Sequence, residues 1–226
     1  YVEVYGDEFL LRPVRGIKPE ARMGTLIDQP VAGRRTVFDP ARMREIVSAY
    51  EAAPVLPSKA DTRATRRAYA RFVQETRTQY RFITEELGIE VIVVDKNPYP
   101  DRTALIRDIA ENNRLKVLST ESTGGHPLLS NAENDMFRAV HDFFGHAGLG
   151  NTFTRHGETV AYLKHAQMYS ELARGAMFSE TMAQSNALIA RGGKFAPQKA
   201  VVLPRKFWSN KTLDADPAYL TGSDQG

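Results

Sequence analysis

The chain contains no cysteine. Disulfides, thiolate zinc sites, iron–sulfur clusters and a cysteine nucleophile are excluded together. The absence fits a reducing compartment, so a cytoplasmic location is expected. Long apolar runs are also missing. The longest, such as Val91 to Val94, fall far short of the roughly 20 residues that a membrane-spanning helix needs. No charged-then-apolar leader opens the sequence, so neither a signal peptide nor a membrane partner is expected. Excess charge is small: a net +3 and a pI near 9.1 permit an anionic partner without requiring one. Histidine occurs only five times, which confines imidazole chemistry to a few positions.

What is present is ordinary globular material, with 42% hydrophobic and 25% charged residues over 226 positions. That length suits a single domain, 1–226, with a sizeable core. Val2 to Leu11 reads as a short strand. Asp39-Pro40 reads as a cap and first turn of a helix running to about Glu51, before Pro54 and Pro57. Asp61 to Leu87 is the clearest helix. Tyr69, Phe72, Val73, Thr76, Tyr80, Ile83 and Leu87 recur at three- and four-residue steps as a buried stripe, and Gly88 ends it. Arg63, Arg66, Arg67, Arg71, Arg77 and Arg81 fall on the other side, read first as a solvated face and second as a docking surface for phosphate or nucleic acid. Ile89 to Val94 predicts a buried strand, Asp101 to Asn112 a helix and Leu115 to Ser119 another strand. Ser130 and Glu133 match a capping box, so a helix starts near Asn131. A long helical region follows from about Glu158 to Ala190, closed by Gly192-Gly193, with a last strand at Val201 to Leu203 and a frayed tail at Gly222 to Gly226. The expected fold class is α+β: a small α/β unit in the first half and a mostly helical second half.

The chemistry concentrates in Ala139-Val140-His141-Asp142-Phe143-Phe144-Gly145-His146-Ala147. On a straight helix, residues five apart differ by about 140° around the axis, so His141 and His146 cannot share a metal there. Gly145 supplies an escape: a left-handed glycine ending the helix lets His146 swing back. The competing reading is a hydrogen-bonded core histidine, since His141 lies on an apolar face with Phe137 and Phe144.

His141-Asp142-Phe143-Phe144-Gly145-His146 resembles the iron-binding segment of the pterin-dependent aromatic amino-acid hydroxylases, and is also similar to phage-encoded proteins. The likeness covers about Arg138 to Gln184. It implies an iron(II) site with two histidines and a downstream glutamate, matched here by Glu180 in Met177-Phe178-Ser179-Glu180. It further implies a pterin as candidate co-substrate, and a role for Asp142 in orienting pterin or bound water. The proline-rich approach to the first histidine is absent; Glu133 to Arg138 stands there instead.

Glu158, Glu171 and Glu180 compete for the third position. On one straight helix Glu171 and Glu180 point to opposite sides, and Glu180 shares its side with His165 and Gln184. The expected ligands are therefore His141, His146 and Glu180, with Glu171 as a surface ion-pair residue. Asp142 is the expected catalytic group, and Arg138 and Gln184 the substrate-binding ones. His165 reads as a partner of the site or a packing residue, His126 as a loop residue able to reach it, and His156 as solvent-facing. The leading expectation is an iron(II) monooxygenase acting on a small molecule, anionic or nucleotide-like. A metal-dependent hydrolase using His141-Asp142, a di-iron site and a nucleic-acid-binding module with structural histidines are the alternatives.

Overall fold

The computed structural model describes residues 40–56, 59–194 and 196–208. The expected strand at Val2 to Leu11, the cap Asp39 and the tail from Gly222 lie outside them, as do the side chains of His156 and Lys164. The fold is mostly helical with one small sheet, the expected α+β class. No helix among the described residues is long and apolar enough to cross a membrane.

Helix α1 is Pro40–Ala52. Its open C-terminal carbonyls are satisfied from a distance: the Lys199 ammonium donates to the carbonyls of Tyr50, Glu51 and Ala53. Helix α2, Lys59–Arg81, runs on into a π-helical turn at Phe82–Glu86. Its apolar stripe packs against two later helices, which stabilises it despite a polar outer face.

A β–α–β unit follows: β1 Glu90–Val94, helix α3 Arg102–Asn112 capped by Asp101, and β2 Arg114–Leu118. The strands pair in parallel with Glu90 opposite Arg114. β1 is not the buried strand expected, because the sheet has only two strands among the described residues and Val93 stays 48% exposed. The unit is locked by Asp108. Its carboxylate accepts from Arg114, Asn112 and Tyr99, with Lys116 nearby at 3.4 Å. Burial disfavours the Asp108 charge, but these donors outweigh it and hold the carboxyl well below its usual range. A depressed folded-state pKa stabilises the protein above the unfolded value, near 4, and that contribution fades as pH falls through the folded value. Asp108→Asn should cost about 2 kcal/mol at pH 7 by denaturant unfolding, with the gap to the parent chain narrowing steadily below pH ~4.

Helix α4, Asn131–His141, opens with the expected capping box: Ser130 and Glu133 satisfy each other's backbone N–H groups. The predicted continuous helix after Gly150 is instead three helices. These are α5 Arg155–His165, α6 Glu171–Phe178 and α7 Gln184–Ala190, with a 3-10 turn at Ala166–Met168 and a π-helical turn at Ser179–Ala183. Tyr169 is extended, so α5 and α6 point independently. Val201 to Leu203 is not a strand; Ala200 makes one backbone bond, to the Val55 carbonyl.

Two apolar clusters fill the interior. One gathers Ile46, Tyr69, Phe72, Phe137, Tyr169, Phe178 and Phe207; the other gathers Ile83, Leu105, Val117, Val140 and Phe143. Helix α4 contributes to both, so its far end sits at the boundary between them, where His141 lies.

Candidate metal centre

His141 is the last residue of α4, and the chain does not leave the helix at Gly145 as expected. Gly145 has no positive φ. The helix widens into a π-helical segment, Asp142–Ala147, in which the Gly148 N–H reaches the Phe143 carbonyl at 2.8 Å. A π turn stacks residues five apart as an α turn stacks residues four apart. His141 and His146 thereby meet, their rings 5.0 Å apart and nearly perpendicular. The need for glycine is steric. A Cβ at position 145 would stand 3.1 Å from the Ala161 Cβ and 3.2 Å from the His141 ring, so the bare backbone admits both.

The carboxylate that joins them is Glu158, from the first turn of α5, and not Glu180. Its two oxygens lie 3.5 Å from His141 Nε2 and 3.4 Å from His146 Nε2. All three donor atoms fall within 4.8 Å of one another, the one such group of three among the described residues. Ligands about 2.1 Å from one metal ion, at tetrahedral to octahedral angles, stand roughly 3.0–3.4 Å apart. The two imidazole–carboxylate distances are close to that spacing.

Hydrogen bonds decide which ring nitrogens face the carboxylate. Gln79 donates its amide to the Met168 carbonyl, so its oxygen faces His165 and accepts from His165 Nε2 at 2.9 Å. His165 Nδ1 then carries a lone pair and accepts from His141 Nδ1 at 3.2 Å. That leaves His141 Nε2 unprotonated, and it is buried without a hydrogen-bond partner. Burial, then the neighbouring imidazoles, push His165 well below the usual histidine range, so it stays the neutral acceptor the relay needs. On the other side, His146 Nδ1 faces the Asn151 carbonyl at 3.3 Å, which directs the His146 Nε2 lone pair to Glu158 as well. Asn151 is itself tied to the Gly145 carbonyl at 2.8 Å. Two imidazole lone pairs and a carboxylate converge on one point. Such a set repels itself unless a cation or a proton lies between.

Protons partly fill that role without metal. Burial opposes a charge on His146, but Glu158 outweighs it and raises the imidazole above its usual value. Burial likewise opposes the Glu158 charge, and the two histidines overcome it, holding the carboxyl at about 2. Asp142 stands beside this group, its carboxyl raised by burial. The flanking surface is aromatic: Phe137 and Phe144 sandwich His165, and Phe153 lies 4.7 Å from the His146 ring.

The other expected site residues lie elsewhere. Glu180 is on the π-helical turn after α6, buried against a different pair: Tyr69 Oη donates at 2.5 Å and His126 Nε2 sits at 3.2 Å. The N–H groups of Leu128 and Leu129 both donate to His126 Nδ1, so the Nε2–H must be the donor to Glu180. Gln184 hydrogen-bonds Tyr50 near the same carboxylate. Arg138 forms no ion pair with Asp142; it donates to the Leu118 carbonyl and Thr123 Oγ1. Glu171 is an exposed ion-pair residue as expected, its partner being Arg205. Arg174, three residues after Glu171 on α6, is buried and caps the Ala166 and Tyr169 carbonyls.

Sequence reasoning favoured Glu180, which the structure places away from the two histidines, because it assumed one straight helix. A usable signal was there. Glu158, Tyr162 and His165 follow at four- and three-residue steps, placing the acid on the buried side of α5 with a histidine. Gln79 and Asn151 carried no such signal. Comparisons with protein-family models, with curated proteins and with solved structures return no match.

Proposed function

We propose that this chain is a non-haem iron(II) oxygenase whose metal is held by His141, His146 and Glu158. The observation that carries the reading is the convergence of two tautomer-locked Nε2 lone pairs and one carboxylate. Two histidines and one acid are the facial set used by many iron(II) oxygenases, which leaves the remaining metal positions for water, oxygen and substrate. Iron, when bound, supplies the oxygen chemistry. The chain's own parts have separable tasks. The Gln79–His165 relay and the Asn151 carbonyl hold the imidazoles in the ligating tautomer and orientation. Phe137, Phe144 and Phe153 shield them from water. Asp142, with its raised carboxyl, stands where it can hold or pass a proton beside the metal position. A pterin remains a candidate co-substrate on the resemblance alone.

A second reading rests on the same donors. Two histidines and a glutamate also make the catalytic zinc set of some hydrolases, with Asp142 as the base for a bound water. One experiment separates them. Protein purified anaerobically and loaded with Fe(II) should bind about one equivalent per chain and consume oxygen when offered reductant and candidate substrates. Preferential retention of zinc, with ester or phosphoester hydrolysis and no oxygen uptake, rejects the oxygenase. Two equivalents of iron would reject the mononuclear site.

A further inference from the structure

A second surface, independent of the metal centre, runs along the outer side of α2. Arg63, Arg66, Arg67, Ala70, Gln74, Arg77 and Arg81 are all exposed. At 100° per residue they fall within one narrow stripe, and Arg63 and Arg81 are separated by five whole turns, about 27 Å. Arg71 is turned aside and bonds Glu75 and Gln74. Arg77 pairs with Glu133 at 2.8 Å. Among the described residues, Arg63, Arg66, Arg67 and Arg81 have no ion-pair or hydrogen-bond partner. Unneutralised guanidinium groups in a row are a focused positive field.

The stripe borders a groove. A hollow of about 420 Å³ is lined by Arg66, Tyr69, Val73, Leu128 and Leu129, and a second of about 450 Å³ by Arg77, Tyr80, Arg81 and Met136. They share Gln74 and Arg77, so they form one channel beside the helix. Among the described residues, Glu133 is the one acidic residue lining either hollow, and it is already engaged by Arg77 and by the α4 cap. The channel therefore has a cationic rim and an apolar, partly aromatic floor.

We infer that this channel binds single-stranded nucleic acid, phosphates along the arginine stripe and bases against the floor. The two halves of the surface demand different halves of the ligand. Phosphate alone satisfies the rim but not the floor, and an apolar peptide leaves the guanidiniums unanswered. A duplex keeps its bases stacked inside and offers nothing to Tyr80, Leu128 or Met136. A single strand presents both, which is how cationic grooves with stacking platforms recognise it. A 27 Å stripe accommodates on the order of eight stacked nucleotides, fewer when the strand is extended.

The test uses a fluorescein-labelled 12-residue oligothymidine, fluorescence anisotropy and a sodium chloride series on the full chain. Four engaged arginines, Arg63, Arg66, Arg67 and Arg81, predict a log–log salt slope of about −3, since each neutralised phosphate of a single strand contributes about −0.7. The triple variant Arg66→Ala, Arg67→Ala, Arg81→Ala should weaken binding about tenfold or more at low salt and flatten the slope by about 2. Its thermal unfolding midpoint and metal content should match the parent, because these side chains are exposed and unpaired. Tyr80→Ala should weaken the single strand with the slope unchanged. Undiminished binding by the triple variant overturns the proposal. So does equal competition by a 12-base-pair duplex or by phosphatidylserine vesicles, which would mark a general anionic surface. Loss of binding on chelation, with the arginine variant still active, would place the strand at the metal and also overturn it.

Discussion

Chain carrying His141→Ala, His146→Ala or Glu158→Ala should retain no stoichiometric metal after anaerobic loading and desalting, whereas Glu180→Ala should retain it. Each of the first three removes one of the three donors of the proposed site, and metal affinity is built from all of them. The expected loss is on the order of a hundredfold or more for each, read by metal analysis and by titration with Co(II). Glu180→Ala acts elsewhere. It removes the shortest acceptor of the buried Tyr69 hydroxyl and the partner of the His126 Nε2–H, so it should cost about 1–3 kcal/mol of stability with the metal in place. Metal bound by Glu158→Ala but lost in Glu180→Ala would show that Glu180 completes the site. His165→Ala belongs between these extremes. It frees the His141 tautomer, so affinity should fall about ten- to a hundredfold with all three ligands intact.

Among the described glycines, Gly157 should tolerate an added methyl least. A Cβ there would stand 1.9 Å from the Thr152 carbonyl oxygen, an overlap that only movement of the backbone can relieve. The affected stretch joins the two sides of the metal centre. Asn151, whose carbonyl orients His146, lies one residue before Thr152, and Glu158 is the residue after Gly157. The expected result is a loss of about 3 kcal/mol or more in denaturant unfolding, together with weakened metal binding in whatever folds. Gly145→Ala makes the informative comparison. Its Cβ meets the His141 ring and Ala161 at 3.1–3.3 Å, which a few tenths of an ångström can relieve, so metal affinity should suffer more than stability. If Gly157→Ala melts and binds metal like the parent, the close packing of the 151–154 loop on α5 is wrong.

Much of the fold was legible because local rules suffice for it. The α2 stripe, the Ser130 cap and the β–α–β unit each follow from patterns within about 25 residues. Glu171 read correctly as an outer ion-pair residue for the same reason. The failures share a cause. A run of helix formers from Glu158 to Ala190 looks continuous, and nothing local marks the extended Tyr169 that breaks it. Once α5 and α6 point separately, helical-wheel arguments across the break lose their meaning. Likewise Gly145 looked like a helix end, but its lack of a Cβ serves close packing against His141 and Ala161.

By itself the sequence determined the chemistry available: two imidazoles five residues apart, acids downstream, no thiol, and a row of arginines on a helix's polar side. Residue type and spacing along one element are properties of the chain alone. Only tertiary structure decided that a π turn brings the imidazoles together, that Glu158 meets them while Glu180 binds Tyr69 and His126, and that Gln79 and Asn151 set the protons. Those outcomes depend on contacts between residues far apart in the chain. They are selected by how separate helices pack and satisfy their buried polar groups, which no pattern along a single helix encodes.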